Sequence, residues 1–483
     1  MNIHFISIGG AVMHNMAIAL HKKGYIITGS DDEIYEPATS RLAKYGILPT
    51  KMGWDVNNIH SGLDAIILGM HARKDNPEML KAQELGIKIY SFPEYMYEQT
   101  KNKLRIIVGG SHGKTTTTAM ILHVLQECNI EFDYLVGSML AGFETMVGLS
   151  ETSKIAVFEG DEYLTSALDL RPKFHVYKGD VGIITGIAWD HINVFPTFEF
   201  YVEQFKIFVE ALPQNGSIIY SANDDEVNKL IAQSNILAKK TPYLTPDFEV
   251  RNGVVYLKNN GQEISLKFFG THNLQNMIAA LHACQCAGVS NEQFFKAIQS
   301  FKGTAKRLET LFENEHCMII RDFAHAPSKL KATVNAVREL NPTRKLIAVY
   351  ELHTFSSLNK DFLPQYNNSM QAADFKAVLY SKHALEMKKM PMLNNEEVAA
   401  GFGNNVQVFT DKNELRKFIE SHFTQNENLL LMSSGTFDGM DLIDQMKFGA
   451  PAQTNKPEAE APKVSPDAEE EIQSLTDSHT AGE

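Results

Sequence analysis

Short apolar runs alternate with stretches of helical period along most of the chain. The run 3–8 leads into Gly9-Gly10, a helix is expected over 13–23, and a second strand ends in Thr28-Gly-Ser-Asp31. An apolar strand at 64–69, the segment 71–77, a helix and a strand at 87–90 complete a small α/β unit of about a hundred residues. The hydrophilic stretch 97–103 marks a boundary. Beyond it the apolar runs 104–109, 154–158, 181–185 and 217–220 are separated by helical or loop segments, the pattern of a doubly wound sheet. The segment 252–269 reads as two short antiparallel strands, followed by Gly270-Thr-His-Asn-Leu-Gln-Asn276 and an alanine-rich helix. Near 303–307 the chain turns into a third unit with strands at 317–320, 345–349, 377–380 and 429–432. The expected fold is α/β in three domains, 1–102, 103–304 and 305–450, with a tail at 451–483.

The chemistry is densest at 104–118, where an apolar strand breaks at Gly109 and Gly110 and Lys114 with four threonines opens a helix. Glycines let backbone N–H groups close on phosphate oxygens, and the helix presents its positive end. Lys114 reaches the terminal phosphates, and Thr115 can place its hydroxyl on Mg²⁺. A nucleoside triphosphate is the expected ligand. The strict G-x-x-x-x-G-K-[ST] spacing is not met, because Val108 stands five before Gly113, so a plain glycine turn is the competing reading. The first turn carries less: Ser7 replaces the first glycine of G-x-G, while Asp31 stands where such units keep a ribose or base partner. Polar clusters follow two further strands, Glu159-Gly-Asp-Glu162 and Asp190-His191, at the strand ends where ligands of such sheets sit. Asn273 and Asn276, three apart, read by themselves as an N-cap and a polar turn.

A chain of 483 residues with 44% hydrophobic residues can fill the cores of three domains. No apolar run approaches the ~18 residues of a membrane span, and the start runs straight into a strand without a signal region, so a cytoplasmic location is expected. Cys128, Cys284, Cys286 and Cys317 read as buried thiols in a reducing compartment. The formal charge of -13 disfavours nucleic acid as a partner. From 455 to 483 there are eight acids against two lysines and almost no apolar residues, so this tail is expected to be disordered. No protein partner follows from the sequence.

Gly110-Ser-His-Gly-Lys-Thr-Thr116 resembles the ATP loop of the Mur ligase family, which joins amino acids or peptides to a UDP-linked muramic acid. The resemblance covers residues 1–446 in the family's order: a UDP-sugar domain, a central P-loop ATPase domain and a C-terminal Rossmann-like domain. It implies that Gly110, Ser111, His112, Gly113, Lys114, Thr115 and Thr116 surround ATP. It further implies that Asn276 contacts the adenine, that Arg307 in Lys306-Arg-Leu-Glu309 reaches the nucleotide from the third domain, and that Asp322 and His325 approach ribose and phosphates. Thr115, Glu159 and His191 are the implied Mg²⁺ ligands. Lys114, Glu159 and His191 form the implied catalytic set, and Gly9, Gly10, Met13, Ser30 and Asp31 the UDP-sugar site. The implied reaction uses ATP and Mg²⁺ to form an amide from the lactyl carboxylate of UDP-N-acetylmuramate through an acyl phosphate. Lys206, fifteen after His191, lies where some members carry a carbamylated lysine; a solvated helix lysine is the reading here.

Two branches of the family are relevant, one adding the recovered tripeptide L-alanyl-γ-D-glutamyl-meso-diaminopimelate and one adding L-alanine. Asp31 with Tyr35-Glu-Pro37, Arg73-Lys-Asp-Asn-Pro77, Glu162-Tyr163 and Asp322-Phe-Ala-His325 are similar to the tripeptide branch. The arginine-rich stretch of the alanine branch is replaced by Glu351-Leu-His-Thr-Phe-Ser-Ser-Leu358, which removes a planar bidentate partner for a small carboxylate. His353, Lys360 and Thr436 are the expected acceptor residues, and closure about a hinge near Gly303 is expected to bring acceptor and donor together. Besides the alanine reading, a nucleotide-binding scaffold without chemistry is the alternative, suggested by the departures at Ser7, Ser111 and 351–358.

Overall fold

The computed structural model describes residues 1–440 except 71, 167, 190–193, 260 and 425. The end of the third expected domain and the tail 451–483 lie outside the described residues. Three α/β bodies follow one another along the chain.

The first contains β1 (Asn2–Ile6), α1 (Ala11–Lys22), β2 (Ile26–Ser30), α2 (Ala38–Lys44), β3 (Ala65–Leu68), α3 (Pro77–Glu84), β4 (Ile89–Ser91) and α4 (Phe92–Thr100). Its four parallel strands run β2-β1-β3-β4. The chain leaves β1 in opposite directions to β2 and β3, which opens a crevice at the carboxyl end of β1. Ser7 makes the turn there with a positive φ of 67°.

The second body begins with β5 (Leu104–Gly109), α5 (Lys114–Glu127), β6 (Phe132–Leu135), β7 (Val147–Gly148), β8 (Ile155–Glu159), α6 (Lys173–Val176) and β9 (Val181–Ile184). It continues with α7 (Phe198–Glu210), β10 (Ser217–Ser221), α8 (Asp225–Gln233) and β11 (Lys239–Tyr243). These strands form the sheet β11-β10-β9-β5-β8-β6-β7, parallel except for β7. The edge strand β11 has little apolar pattern and carries Pro242, which only an edge tolerates. A separate antiparallel sheet contains β12 (Phe248–Arg251), β13 (Val254–Asn259) and β14 (Gln262–Leu266); the last two are the antiparallel pair expected over 252–269, and β12 joins them from outside that segment. Asn252 and Gly253 both take positive φ, 52° and 74°, the two-residue turn that closes the β12–β13 hairpin. α9 (Thr271–Cys286) and α10 (Asn291–Ile298) complete this body.

The third holds β15 (Glu309–Glu313), β16 (Met318–Asp322), α11 (Pro327–Leu340), β17 (Lys345–Leu352), β18 (Phe375–Tyr380), α12 (Lys382–Met387), α13 (Asn395–Gly401), β19 (Gln407–Phe409), α14 (Lys412–His422) and β20 (Glu427–Met432). Its sheet runs β15-β16-β20-β17-β18-β19, with β15 antiparallel.

The bodies are joined unequally. One apolar cluster runs without a break from Phe5, Met16 and Met96 of the first to Phe158, Phe174 and Phe208 of the second. Above it the Glu144 carboxylate receives Lys22 at 2.5 Å, Lys44 at 3.2 Å and the Tyr45 hydroxyl, and the Met146 amide donates to the buried Asn15 side chain at 3.0 Å. The third body has its own core on each face of its sheet. It meets the second where the Thr271 hydroxyl bonds Glu339 at 3.0 Å and Gly270 lies against Ala336. Among the described residues no helix is long and apolar enough to cross a membrane. All four cysteines are free, but only Cys284 and Cys317 are buried; Cys286 is exposed and Cys128 half-buried, which corrects the expectation for that pair.

Candidate active site

β5 lies between β8 and β9, and the glycine loop leaves its end at the switch point of the central sheet. Gly113 has φ 78° and precedes α5, which has no side-chain cap, so its first amides retain donor capacity. A Cβ on Gly113 would stand 2.3 Å from Asn276 Oδ1, which shows how tightly the start of α9 crosses the loop. Ser111 pins the loop from behind: its amide donates to Gly186 O at 2.9 Å, its Oγ accepts from Ala188 N at 2.9 Å, and it meets the Tyr201 hydroxyl at 2.8 Å. The Thr185 hydroxyl donates to His112 O. The segment tied down here leads to Asp190 and His191, which lie outside the described residues.

A cavity of about 390 Å³ opens over this loop, lined by Ser111, His112, Gly113, Lys114, Thr115 and Thr116. Lys114 Nζ donates to Gly110 O and contacts Glu162 Oε2, both at 2.6 Å. Burial opposes the charge on Lys114, but Glu162, Asp161 and Glu159 outweigh it and hold its pKa above the ordinary value. The Thr115 hydroxyl donates to Glu159 Oε1 at 2.7 Å, and the Gly137 amide fixes the other carboxylate oxygen at 2.7 Å. Thr115 and Glu159 therefore present two hard oxygen donors side by side. Among the described residues no group of three or more His, Cys, Asp or Glu could hold a metal by itself. Such a sparse oxygen site suits Mg²⁺, which keeps water and substrate oxygens in its shell. One further charge was missed in the sequence, Lys173, which pairs at 2.5 Å with Asp161 of the expected polar cluster. Burial pushes against ionisation of Asp161, yet Lys173 and Lys114 hold its pKa at about 2. No local pattern announces Lys173, since a folded loop brings it back to Asp161.

The third body closes the far side of this cavity with Arg307, Asp322, Phe323, His325 and Lys329. The Arg307 guanidinium lies 4.7 Å from the centre of the Phe323 ring, and its neighbours Lys306 and Leu308 both have positive φ. Asp322 is buried, and its carboxylate accepts from Leu308 N and Ala324 N at 2.7 Å and from the Thr333 hydroxyl at 3.2 Å. It braces the turn that carries Arg307, a task not foreseen in the sequence. His325 Nδ1 lies 2.9 Å from Phe323 O and Nε2 3.2 Å from Lys329 Nζ. Asn276 and Asn273 line the cavity, but neither caps α9: the N-cap is Gly270, and the Asn273 amide donates back to Phe269 O at 2.9 Å.

A second cavity, about 720 Å³, occupies the crevice of the first body and is lined by Gly9, Gly10 and Asp31. The Gly9 amide donates to Asp31 Oδ2 at 2.7 Å; burial, then Asp32, pushes the Asp31 pKa up to about 6. Met13 and Ser30 do not line this cavity. Met13 packs in the core, and Ser30 donates to buried Glu78 at 2.7 Å beneath the floor, beside His4. His14, Arg41 and Trp54 line it unannounced, with Arg73 of the 73–77 stretch and with Met139 and Met146 from the second body.

The expected acceptor residues are only partly brought together. Glu351, buried at the end of β17, accepts from the Ser433 hydroxyl and from the amides of Phe437 at 2.8 Å and Asp438 at 3.2 Å. This folds 433–438 over His353, so closely that a Cβ on Gly435 would lie 2.6 Å from His353 Nδ1. Thr436 is exposed in that loop. Lys360 stands on the surface, paired with Glu397 at 2.5 Å. Lys206 is a half-exposed lysine of α7, 3.6 Å from Glu203.

A phosphate loop at the switch point of a central parallel sheet, closed on either side by a nucleotide-binding type of α/β body, defines an enzyme that uses a nucleoside triphosphate. Family models match in sequence along the chain: the Mur ligase family catalytic domain over 2–103, the Mur ligase middle domain over 108–284 and the Mur ligase glutamate ligase domain over 306–435. The chain is 30% identical over 409 residues to a UDP-N-acetylmuramate–L-alanine ligase of Caldicellulosiruptor bescii, covering 82% of this chain and 86% of that one. It is 26% identical over 464 residues to the UDP-N-acetylmuramate–L-alanyl-γ-D-glutamyl-meso-2,6-diaminoheptandioate ligase of Haemophilus influenzae, covering 92% and 99%. The crystal structure of a murein peptide ligase from Psychrobacter arcticus superposes with a TM-score of 0.61 at 22% identity, over 93% of this chain and 100% of that one. The chain belongs to the Mur ligase family and is an ATP-dependent amide ligase of peptidoglycan metabolism.

Proposed function

We propose that the chain joins the lactyl carboxylate of UDP-N-acetylmuramate to the amine of L-alanyl-γ-D-glutamyl-meso-diaminopimelate, in the cytoplasm and with Mg²⁺. Residues 1–102 hold the UDP-sugar, 103–304 the ATP and 305–450 the acceptor. The observation that carries this division is a shared wall. Val12 and Phe92 of the first body line the cavity of Lys114, so a ligand seated in the first crevice can extend its carboxylate to the triphosphate.

Gly9, Gly10 and the start of α1 receive the UDP diphosphate, with Asp31 as the ribose or base partner. In the ATP cavity Gly110, Ser111, His112, Gly113 and Thr116 enclose the phosphates, Asn276 takes the adenine, and Arg307 and His325 reach the nucleotide from the third body. Lys114 stabilises the charge that develops during phosphoryl transfer. Thr115 and Glu159, with His191, would hold Mg²⁺, which when bound offsets the repulsion between carboxylate and phosphate. The acceptor amine then attacks the carbonyl carbon of the acyl phosphate from the third body, near His353 and the 433–438 loop; the C–N bond forms as the C–O bond breaks and inorganic phosphate leaves with the amine proton, while closure about Gly303 excludes water.

The tripeptide is favoured by Glu162-Tyr163 and Asp322-Phe-Ala-His325, whereas the arginine-free stretch 351–358 departs from both branches. The reading with L-alanine as acceptor has its own support, since the relatives at 30% identity carry that activity in their names. A competition assay decides between them. With UDP-N-acetylmuramate and ATP, the tripeptide is expected to outcompete L-alanine in product mass spectra, and exclusive alanine incorporation would overturn the acceptor assignment while leaving the ligase mechanism.

A further inference from the structure

The steps above leave Lys173 without a task. It lies in the same cavity as Lys114, its side chain 13% exposed, with Nζ 2.5 Å from Asp161 Oδ2. A loop closed on itself puts it there. Thr165 bonds Arg171 O through its amide at 2.9 Å and its hydroxyl at 2.7 Å, Ser166 N bonds Asp169 O at 3.0 Å, and Lys173 N returns to Tyr163 O at 3.1 Å. The rings of Phe92 and Tyr163 stand 5.9 and 5.8 Å from the ammonium. Phe92 opens α4 of the first body, so Lys173 marks the place where that body meets the phosphate cavity.

Lys114 and Lys173 each meet their own acid, Glu162 and Asp161, and the two acids are neighbours in sequence. A buried ammonium that opens on a cavity can exchange its carboxylate for an anion of a ligand, and a compact charge on a flexible stem suits that exchange. Lys114 is committed to the phosphates by its place after Gly113. The other anion that must be held against the γ-phosphate is the donor carboxylate, arriving from the first body.

We propose that Lys173 binds the donor carboxylate, hydrogen-bonding one of its oxygens and aiming the other at the γ-phosphorus. That oxygen forms the new P–O bond as the β–γ bridging bond breaks, its electron pair leaving on ADP, and Lys173 keeps its protons throughout. This rests on the function proposed above and adds a residue to it.

The test compares Lys173→Met and Lys173→Arg with the parent enzyme. Initial rates with varied UDP-N-acetylmuramate at saturating ATP are set beside calorimetric affinity for adenylyl imidodiphosphate. Lys173→Met is expected to lose roughly a hundredfold in kcat/KM for the donor, as for one lost charge-stabilising contact, with nucleotide affinity held within about threefold. Lys173→Arg should recover part of the loss. Asp161→Asn combined with Lys173→Met removes the pair whole, leaves no carboxylate without its ammonium, and should show the same donor defect. Parent-like donor efficiency in either methionine variant overturns the proposal. So does an equal fall in nucleotide affinity, which would place Lys173 at the phosphates or in the framework. A parent enzyme that releases no ADP with UDP-N-acetylmuramate would sink the proposed function and this inference with it, whereas an active parent with an unaffected variant sinks the inference alone.

Discussion

The β1–α1 and β5–α5 junctions are built alike and equipped differently. Each leads from a parallel strand at a switch point, through a glycine turn, into a helix whose N-cap is glycine and whose first turn carries no acid. Both helix ends are therefore suited to anions. At the first, the Gly9 amide is taken by Asp31, and Arg73 of the cavity is tied to Asp75 at 2.9 Å. At the second, Lys114, Thr115 and Glu159 stand within contact of one another's neighbours over the loop. The backbone supplies a place for phosphate in both; the second adds a buried lysine and carboxylates gathered over the loop, groups able to answer a change of charge during a reaction.

The sharpest break in the comparison is Lys114→Ala. Transition-state stabilisation is expected to fall by about 3 to 4 kcal/mol, roughly a hundred- to thousandfold in kcat, read as ADP release under saturating substrates. Asp31→Ala should raise the donor KM and spare kcat. If Lys114→Ala changed only the KM for ATP, the two junctions would be the same kind of site.

Alanine at the glycines separates the junctions by strain. Gly113→Ala combines φ 78° with a Cβ 2.3 Å from Asn276 Oδ1, and should cost about 2 kcal/mol or more in urea unfolding and weaken nucleotide binding. At Gly9 the nearest atoms, Asp31 Oδ2 and Ile34 Cγ1, are 3.0 Å away and φ is ordinary, so Gly9→Ala should cost about 1 kcal/mol or less. Equal losses would show that the close crossing of α9 is not what fixes the loop.

The smallest effect is in pH, and its sign differs between the junctions. The Asp31 carboxyl is raised to about 6 from 3.8 by burial, so its contribution to stability is full below 3.8 and is lost as pH rises through about 6. Asp161, part-exposed and held at about 2 by Lys173 and Lys114, contributes above 3.8 and loses that contribution as pH falls towards about 2. Asp31→Asn should flatten the melting temperature between pH 4 and 7, whereas Asp161→Asn should leave that upper window unchanged.

Where local pattern carries the information, the sequence was a good guide. The strands beginning at Val181 and Ser217, the helix after Lys114 and the order of three α/β bodies follow from apolar runs and glycine breaks. The phosphate loop was legible because its residues are contiguous. Lys173, Arg41 and Trp54 were not, since each reaches its cavity through tertiary folding with no spacing to reveal it. Met13 and Ser30 sit beside the right glycines, yet helix and strand periodicity turn their side chains into the core and beneath the floor. Asp322 was expected at the nucleotide and lines the Lys114 cavity, but its three hydrogen bonds to the chain could be seen only in three dimensions.

The Glu144 clamp bears on how charge should be counted in a chain of several bodies. Lys22, Lys23, Arg41 and Lys44 all belong to the first hundred residues, and mapped on that body alone they would form a basic face of the kind that gathers polyanions. In the whole chain Lys22 and Lys44 meet Glu144, Lys23 meets Glu151 at 3.2 Å, and Arg41 donates to the Glu144 carbonyl. The basic face is one half of a seam, and its complement lies more than a hundred positions away in sequence from Lys22.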